Sequence, residues 1–450
     1  MMNLYYAAIG PGGDVVGVER DIDRATNIAL DHFPESTVQV EELGGDAITN
    51  PRAAADMPQI AARNCRIPII PERAASMPLE HAHQKLYRYF EGLIKRGAPT
   101  KAYETARGMA DAWIGQNYKT GKAHPEQPSL VMGLTLVPAS HPRLASRGEG
   151  PYAHLLSGPK RAEGEQMIAR WKEELPFDAN DKKFTFCTGS NQNCRDACLV
   201  FAGQNASELY NTYRKIAQTM ALLNEPEAFA RMLVESIDRF VRSREIASGT
   251  LPFMRLNVLS DIPWEIICPW LFRRFERLQF YDYTKVPGRR LPTNYDLTFS
   301  VSGTNLEYAQ DEINARDRRV AVVFLGHKMK GGSWTPIKVK GAKLLAQVPL
   351  PRTFWGLPVV DGDISDVRPL DPAPSCVGLR WKTPSGKRAG VTVDITSKQF
   401  SFVTPVFVVD AELAGRLVNP EGGSLSREQY LISPVTPRYQ PIMHDVALPM

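Results

Sequence analysis

The strongest constraint on the fold is an alternation of short apolar strands with helical stretches between residues 252 and 326. Pro252 to Val258 (PFMRLNV), Gln279 to Lys285 (QFYDYTK), Tyr295 to Val301 (YDLTFSV) and Val320 to Gly326 (VAVVFLG) read as strands, and 263–278 and Leu306 to Ala315 read as helices. Repeated βα units of this size imply a parallel sheet buried by helices on its outside. Upstream, Ser207 to Leu223 is helical. A second helix begins at the N-cap candidate Asn224 with Pro226 in its first turn, and Phe229, Met232, Leu233, Ile237, Phe240 and Val241 form its buried face. Ligands of parallel sheets bind beyond the carboxyl ends of the strands. The polar residues there are therefore the candidates for function: Ser260 and Asp261, Tyr283 and Lys285, Ser300, Ser302 and Asn305, then His327 and Lys328. Each of these singly could equally be a cap or a turn residue.

Soft-ligand chemistry is concentrated in Lys182 to Gly203, KKFTFCTGSNQNCRDACLVFAG, where a short apolar strand leads into a C-x6-C-x3-C array of Cys187, Cys194 and Cys198. Thiolates bind zinc and iron–sulfur clusters, and three on one loop supply three corners of a site. A fourth ligand from elsewhere closes the site and makes it structural, whereas an open corner can take a substrate. The plainer alternative is three unligated thiols near a turn. Against it stands the polarity of the loop, Thr188 to Asn193 with Arg195 and Asp196, since buried core cysteines rarely arrive on polar loops. Cys268 falls among Ile266, Ile267 and Trp270 and reads as core. Cys65 and Cys376 have no partner at ligand spacing.

Apolar and charged fractions of 43% and 23% place the chain among ordinary globular proteins rather than disordered ones. No run of about 20 apolar residues occurs and the first residues lack a signal-peptide pattern, so an intracellular, cytoplasmic protein is expected. Six cysteines in 450 residues are too few for a disulfide scaffold. The net charge of +5 says little, but Arg316 to Lys343 carries eight Lys and Arg against one acid, Asp317. Such a strip can contact phosphates; it can also be a solvated face balanced by acids folded beside it. His81 and His83, two apart on a helix, point away from each other and read as polar surface. Asp361, Asp363, Asp366 and Asp371 surround Arg368 in VVDGDISDVRPLDP. They could hold a hard cation, but the spacing lacks the glycine and terminal Glu of a calcium loop, so turn capping and pairing with Arg368 is preferred. The organisation expected is a small ββαβ module over 1–50, a helical segment over 51–128 with an apolar stripe of Leu86, Tyr89, Phe90 and Leu93, a βα core over 129–396, and an extended tail over 397–450.

In order along the chain, GLTLVP (Gly133 to Pro138), the cysteine array with its CLVFAG tail, MRLNVLSDIPWE (Met254 to Glu265), FYDYTK, NYDLTFS (Asn294 to Ser300), VAVVF and VVDGDISDVRPLDP resemble the phage- and plasmid-encoded gene product 88 group. The resemblance runs roughly from Val131 to Thr396. That group in turn resembles radical S-adenosylmethionine enzymes, whose partial βα barrel carries a cluster-binding cysteine loop after its first strand, usually spaced C-x3-C-x2-C. The resemblance implies an α/β fold built on a partial (βα) barrel of that type. It implies that Cys187, Cys194 and Cys198 hold a [4Fe-4S] cluster and that S-adenosylmethionine is the cofactor. Asn257, Ser260 and Asp261 would lie near its methionine amino group, with Ser300 and Ser302 also on the cofactor side. Tyr283 and Lys285 are the candidates for catalysis. Phage enzymes of this class can act on nucleic-acid bases; one known role is isomerising an amino acid joined to the thymidine methyl carbon in DNA hypermodification. A nucleic-acid (DNA) or nucleotide substrate in the host cytoplasm is thus implied. The competing reading is a non-enzymatic nucleic-acid-binding protein with a structural zinc, whose fourth ligand is Cys268 or a histidine. A hydrolase is a weaker third reading, because neither a G-x-S-x-G elbow nor a phosphate-binding G-x-x-x-x-G-K-S/T loop occurs.

Overall fold

A computed structural model describes residues 51–95, 113–115, 124–137, 184–190, 209–302, 305–330, 333–336, 353–355 and 357–381, single positions between 162 and 194 and at 348 and 350, and six short strands nearer the termini. Near the N-terminus β1 (Tyr5–Ile9), β2 (Val15–Glu19) and β3 (Gln39–Leu43) form an antiparallel sheet ordered β2-β1-β3. The helix expected over 21–32 lies outside the described residues.

The main sheet is mostly parallel. Strands β5 (Ser129–Leu134), β6 (Leu251–Arg255), β7 (Gln279–Thr284), β8 (Tyr295–Ser300) and β9 (Val320–Lys330) lie side by side in chain order, every neighbour parallel. Beyond β9 the sheet continues in parallel through β13 (Cys376–Arg380) to β12 (Leu357–Asp361). Two short antiparallel strands finish its edges, β4 (Ile114–Gly115) against β5 and β11 (Thr353–Phe354) against β12. Among the described residues no pairing joins those edges, so the sheet is open. The long second half of β9 also pairs with β10 (Ser333–Pro336) and β14 (Thr404–Val409), which continues into β15 (Tyr430–Ser433) and β16 (Ile442–His444). The tail thus contributes strands to the sheet.

One face of β5 to β8 is apolar and covered by helices. Met254, Leu256, Phe280, Tyr295 and Leu297 share a core with α1 (Pro51–Cys65), α2 (Leu79–Lys95), α3 (Leu209–Asn224) and α4 (Pro226–Val241). Leu86, Phe90 and Leu93 of the expected α2 stripe are fully buried, while Tyr89 is partly buried with its hydroxyl against Asn224 Nδ2. Asn224 therefore ends α3 rather than starting α4, and the N-cap of α4 is Glu225, with Pro226 at the first helical position. That proline lacks an N–H where the helix needs none.

Two other elements differ from expectation for local reasons. Residues 263–278 form two short helices, α5 (Trp264–Ile267) and α6 (Trp270–Arg274), because Pro269 cannot continue the backbone ladder and drives Cys268 out of helical geometry, to φ −140° and ψ 58°. Residues 184–187 form no strand. Phe184 and Phe186 are both buried in the helix-side core, and the backbone is tied by single bonds to two different places, Thr185 N to Asn64 O and Asp261 N to Phe186 O. A second core, Phe299, Val320, Val322, Phe324 and Cys376 with Ala309, seats α7 (Leu306–Arg316) on β8, β9 and β13.

Candidate functional site

The other face is apolar at Val131 and Phe253 and becomes polar towards β7 and β8. Parallel register sets Tyr281 beside Asp296 and Tyr283 beside Thr298, all on the side away from the helices, with Arg255 of β6 over the two tyrosines at 5.6 and 5.3 Å from the ring centroids. Faces of parallel sheets are ordinarily apolar because helices cover both. Here the cover is the segment 362–375 between β12 and β13. Its Val367 and Leu370 pack on Val131, Phe253 and Tyr281. Asp366 Oδ2 accepts from Arg255 Nη1 at 2.8 Å and from the Tyr281 hydroxyl at 3.3 Å, Arg368 pairs with Asp371 at 2.9 Å, and Arg319 reaches both Asp296 and the Asp371 carbonyl. Burial opposes the charge of Arg255, but Asp366 and its neighbours outweigh it and hold the guanidinium above its usual range.

The four aspartates of VVDGDISDVRPLDP are therefore ion-pair partners. Asp361 and Asp363 meet Arg380, Asp366 meets Arg255, and Asp371 meets Arg368. Pairing with Arg368 holds for Asp371 alone. Turn capping is seen at Asp361, which accepts from the Asp363 N–H.

Towards the carboxyl ends of β7 and β8 the covering segment gives way to partial exposure. Tyr283, Lys285 and Ser300 are half-buried where their flanking neighbours Thr284 and Phe299 are buried. Lys285 Nζ donates to Ser300 Oγ at 2.5 Å. Burial pushes the Tyr283 hydroxyl up to about 12, with the nearby Arg368 and Arg255 acting the other way. The two candidate catalytic residues and one candidate cofactor residue thus share one mouth.

The cysteine loop borders that mouth. Phe186 O accepts from Asp261 N at 2.7 Å, Cys187 Sγ lies 3.9 Å from Leu259 O, and a Cβ added at Gly189 would fall 2.5 Å from Lys285 O. Cys187 and Cys194 are half-buried; Cys198 lies outside the described residues. Among the described residues no group of three or more His, Cys, Asp or Glu side chains is placed to hold a metal. Cys65, Cys268 and Cys376 are buried, which drives their thiols up.

The other candidate cofactor residues carry internal hydrogen bonds. Asn257 Oδ1 accepts from Ser260 Oγ and Ile262 N while its Nδ2 donates to Ile262 O, so Asn257 and Ser260 form the turn after β6. Asp261 accepts from Thr284 Oγ1, Lys285 N and Arg289 Nη1. Ser302 is buried and its N–H donates to Asn305 Oδ1. Arg289, Glu265, Asp282 and Arg255, which organise this end of the sheet, were not candidates from the sequence. The only local hint was the alternation of Asp282 with Tyr281 and Tyr283 in FYDYTK.

Of the basic strip, Arg316 and Arg318 pair with Glu312, and Arg319 is buried against Asp296. Lys328 and Lys330 lie on β9, and Lys338, Lys340 and Lys343 lie outside the described residues. His81 is exposed and the ring of His83 stacks on Tyr87. Among the described residues no helix is long and apolar enough to cross a membrane.

Compared with known proteins, residues 152–395, more than half of the chain, match the family model described as gene product 88. No curated protein and no solved structure gives a significant match.

Proposed function

The chain belongs to the gene product 88 family, and from that premise we propose that it is a radical S-adenosylmethionine-like [4Fe-4S] enzyme acting on a nucleic-acid or nucleotide base, with isomerisation of a modified thymidine as one example. The observation that carries this reading is the docking of the cysteine loop at the carboxyl end of a run of parallel strands in chain order, beside Tyr283, Lys285 and Ser300. A loop of soft thiolates at the mouth of an open βα sheet suits a partial barrel of that class.

The donor set fits the group. Cys187 and Cys194 are half-buried thiols on a polar loop, unlike the buried Cys65, Cys268 and Cys376, and Cys198 completes the array in sequence. When bound, a three-thiolate cluster with S-adenosylmethionine supplies one-electron chemistry that side chains cannot. This chain's own residues bind and orient. Lys285, steadied by Ser300, presents a cation to an anionic portion of the substrate. Tyr283 presents a hydroxyl that stays protonated at neutral pH, and the segment 362–375 closes the sheet's far face to water.

The test is anaerobic purification followed by iron, sulfide and zinc analysis, on the wild type and on a variant with Cys187, Cys194 and Cys198 changed to Ala. About four irons and four sulfides per chain, lost in the variant, are expected. One zinc and no iron overturns the reading in favour of a structural site. Cys268→Ala separates the two further: an open cluster keeps its metal, whereas a zinc site using Cys268 loses it.

A further inference from the structure

We infer that Gly189 and the buried Asp261–Arg289–Glu265 triad form one positioning device that sets the cysteine loop against Lys285. Arg289 is wholly excluded from solvent and grips Glu265 with two bonds, Nε to Oε1 at 2.8 Å and Nη2 to Oε2 at 2.6 Å. Its Nη1 reaches Asp261 Oδ1 at 3.1 Å. Paired donors on a planar guanidinium fix direction as well as distance. Asp261 is thereby held still, and three chain segments meet on it. Its own N–H donates to Phe186 O in the cysteine loop at 2.7 Å, and its carboxylate accepts from Thr284 Oγ1 at 2.8 Å and Lys285 N at 2.7 Å at the end of β7.

The result is a notch between the backbone at 259–261 and that at 284–285, into which the loop enters. Gly189 is what lets it enter. A Cβ there would meet Lys285 O at 2.5 Å, Lys285 Cβ at 2.6 Å and Lys285 C at 2.7 Å. Two of these atoms are backbone that the triad holds in place, so a larger residue forces the loop to withdraw rather than the notch to open. Asp261 meets Lys285 at its backbone N–H and Gly189 lies against its backbone carbonyl, not at its ammonium, so the four residues act through the loop they place. The purpose we assign to this device rests on the cluster reading, but its geometry does not.

The experiment is site-resolved alkylation of the full-length, metal-stripped and reduced chain with iodoacetamide, read by mass spectrometry for each cysteine. Cys268 and Cys376, buried in the two cores, report opening of the fold as a whole. In Gly189→Ala the rate at Cys187 is expected to rise about tenfold relative to the wild type, the equivalent of roughly 1.4 kcal/mol of local opening, while Cys268 and Cys376 stay protected. Asp261→Asn, which weakens the notch from its other side, is expected to do the same. An unchanged Cys187 rate in both variants overturns the inference. So does a parallel rise at Cys268 and Cys376, because a device that only places the loop leaves the cores closed. Iron per chain in the anaerobically purified variants falls with the Cys187 rise if the cluster reading holds. If the wild type holds no iron, that reading fails while the alkylation pattern still decides this one.

Discussion

Arg255 of β6 and Asp366 of the covering segment stand 111 residues apart in the chain and meet at 2.8 Å with both side chains almost excluded from solvent. This contact ties the segment between β12 and β13 to the polar face of β6 and β7. It turns an element that reads as an acidic loop into the floor of the sheet's open side.

Breaking the contact from one side strands a buried charge. Among the described residues, Asp366→Asn leaves Arg255 with Asp282 at 3.5 Å as its remaining anionic contact. Removing one partner of a buried pair costs about 3–5 kcal/mol, whereas replacing both by apolar residues of similar size is often neutral. The single variant is therefore expected to lose most of that range in urea unfolding, and Arg255→Met with Asp366→Leu to lose much less. A single variant within about 1 kcal/mol of the wild type would show that the floor is wet rather than closed.

The burial of Asp282 sets the sign of a pH dependence in the fold. Burial pushes its carboxyl up to about 6, against the opposing pull of Arg255, the Asn257 and Leu256 N–H groups and the Tyr295 hydroxyl. The folded chain thus holds this proton to higher pH than the unfolded chain does. The stability it contributes is complete below about pH 4 and lost as pH rises through about 6, on the order of 3 kcal/mol across that interval. Asp261 and Asp371 are shifted in the same direction by burial. The measurement is therefore a difference: the stability of the wild type minus that of Asp282→Asn is expected to fall between pH 4 and pH 6 and to be flat above. A difference that rises over this interval would reverse the assignment.

What could be read from the chain divides along the same line as local and distant causes. VAVVFLG, YDLTFSV and QFYDYTK announce strands because their apolar runs and bounding turns are contained within each element, and all three form, β9 running four residues past the expected Gly326. The break in 263–278 was also written locally, in Pro269, but the apolar run of Ile266, Ile267 and Trp270 masked it. Phe184 and Phe186 look like a strand because alternation is indistinguishable from two side chains buried by different neighbours. The polar face was out of reach for a different reason. No local pattern pairs Arg255 with Asp366 or seats Gly189 against Lys285, since these meet only once the sheet has folded. The strand ends were legible as places, while the duties of Asn257, Ser260 and Asp261 at those ends were not.

The basic strip offers a final separation of stability from binding. Arg319 is buried, donating to Asp296 and to the Asp371 carbonyl, and Arg318 pairs with the buried Glu312. Charged hydrogen bonds of this kind are worth about 1.5–3 kcal/mol each, so Arg319→Gln is expected to lower stability by that order. A side chain already committed to Asp296 and Asp371 has no charge left to release counterions from a phosphate. The slope of log affinity for DNA against log salt should therefore be the same in Arg319→Gln as in the wild type. If Lys338, Lys340 and Lys343 carry the contact to nucleic acid, changing all three to Gln reduces that slope by roughly one per lysine and leaves the unfolding midpoint in place. Filter binding at several salt concentrations reads the slope, and thermal unfolding reads the midpoint. An Arg319→Gln variant with a reduced slope and an unchanged midpoint would mean that this arginine leaves Asp296 to meet the nucleic acid. An affinity independent of salt in the wild type would remove nucleic acid as the partner altogether, because phosphate contacts cannot form without releasing ions.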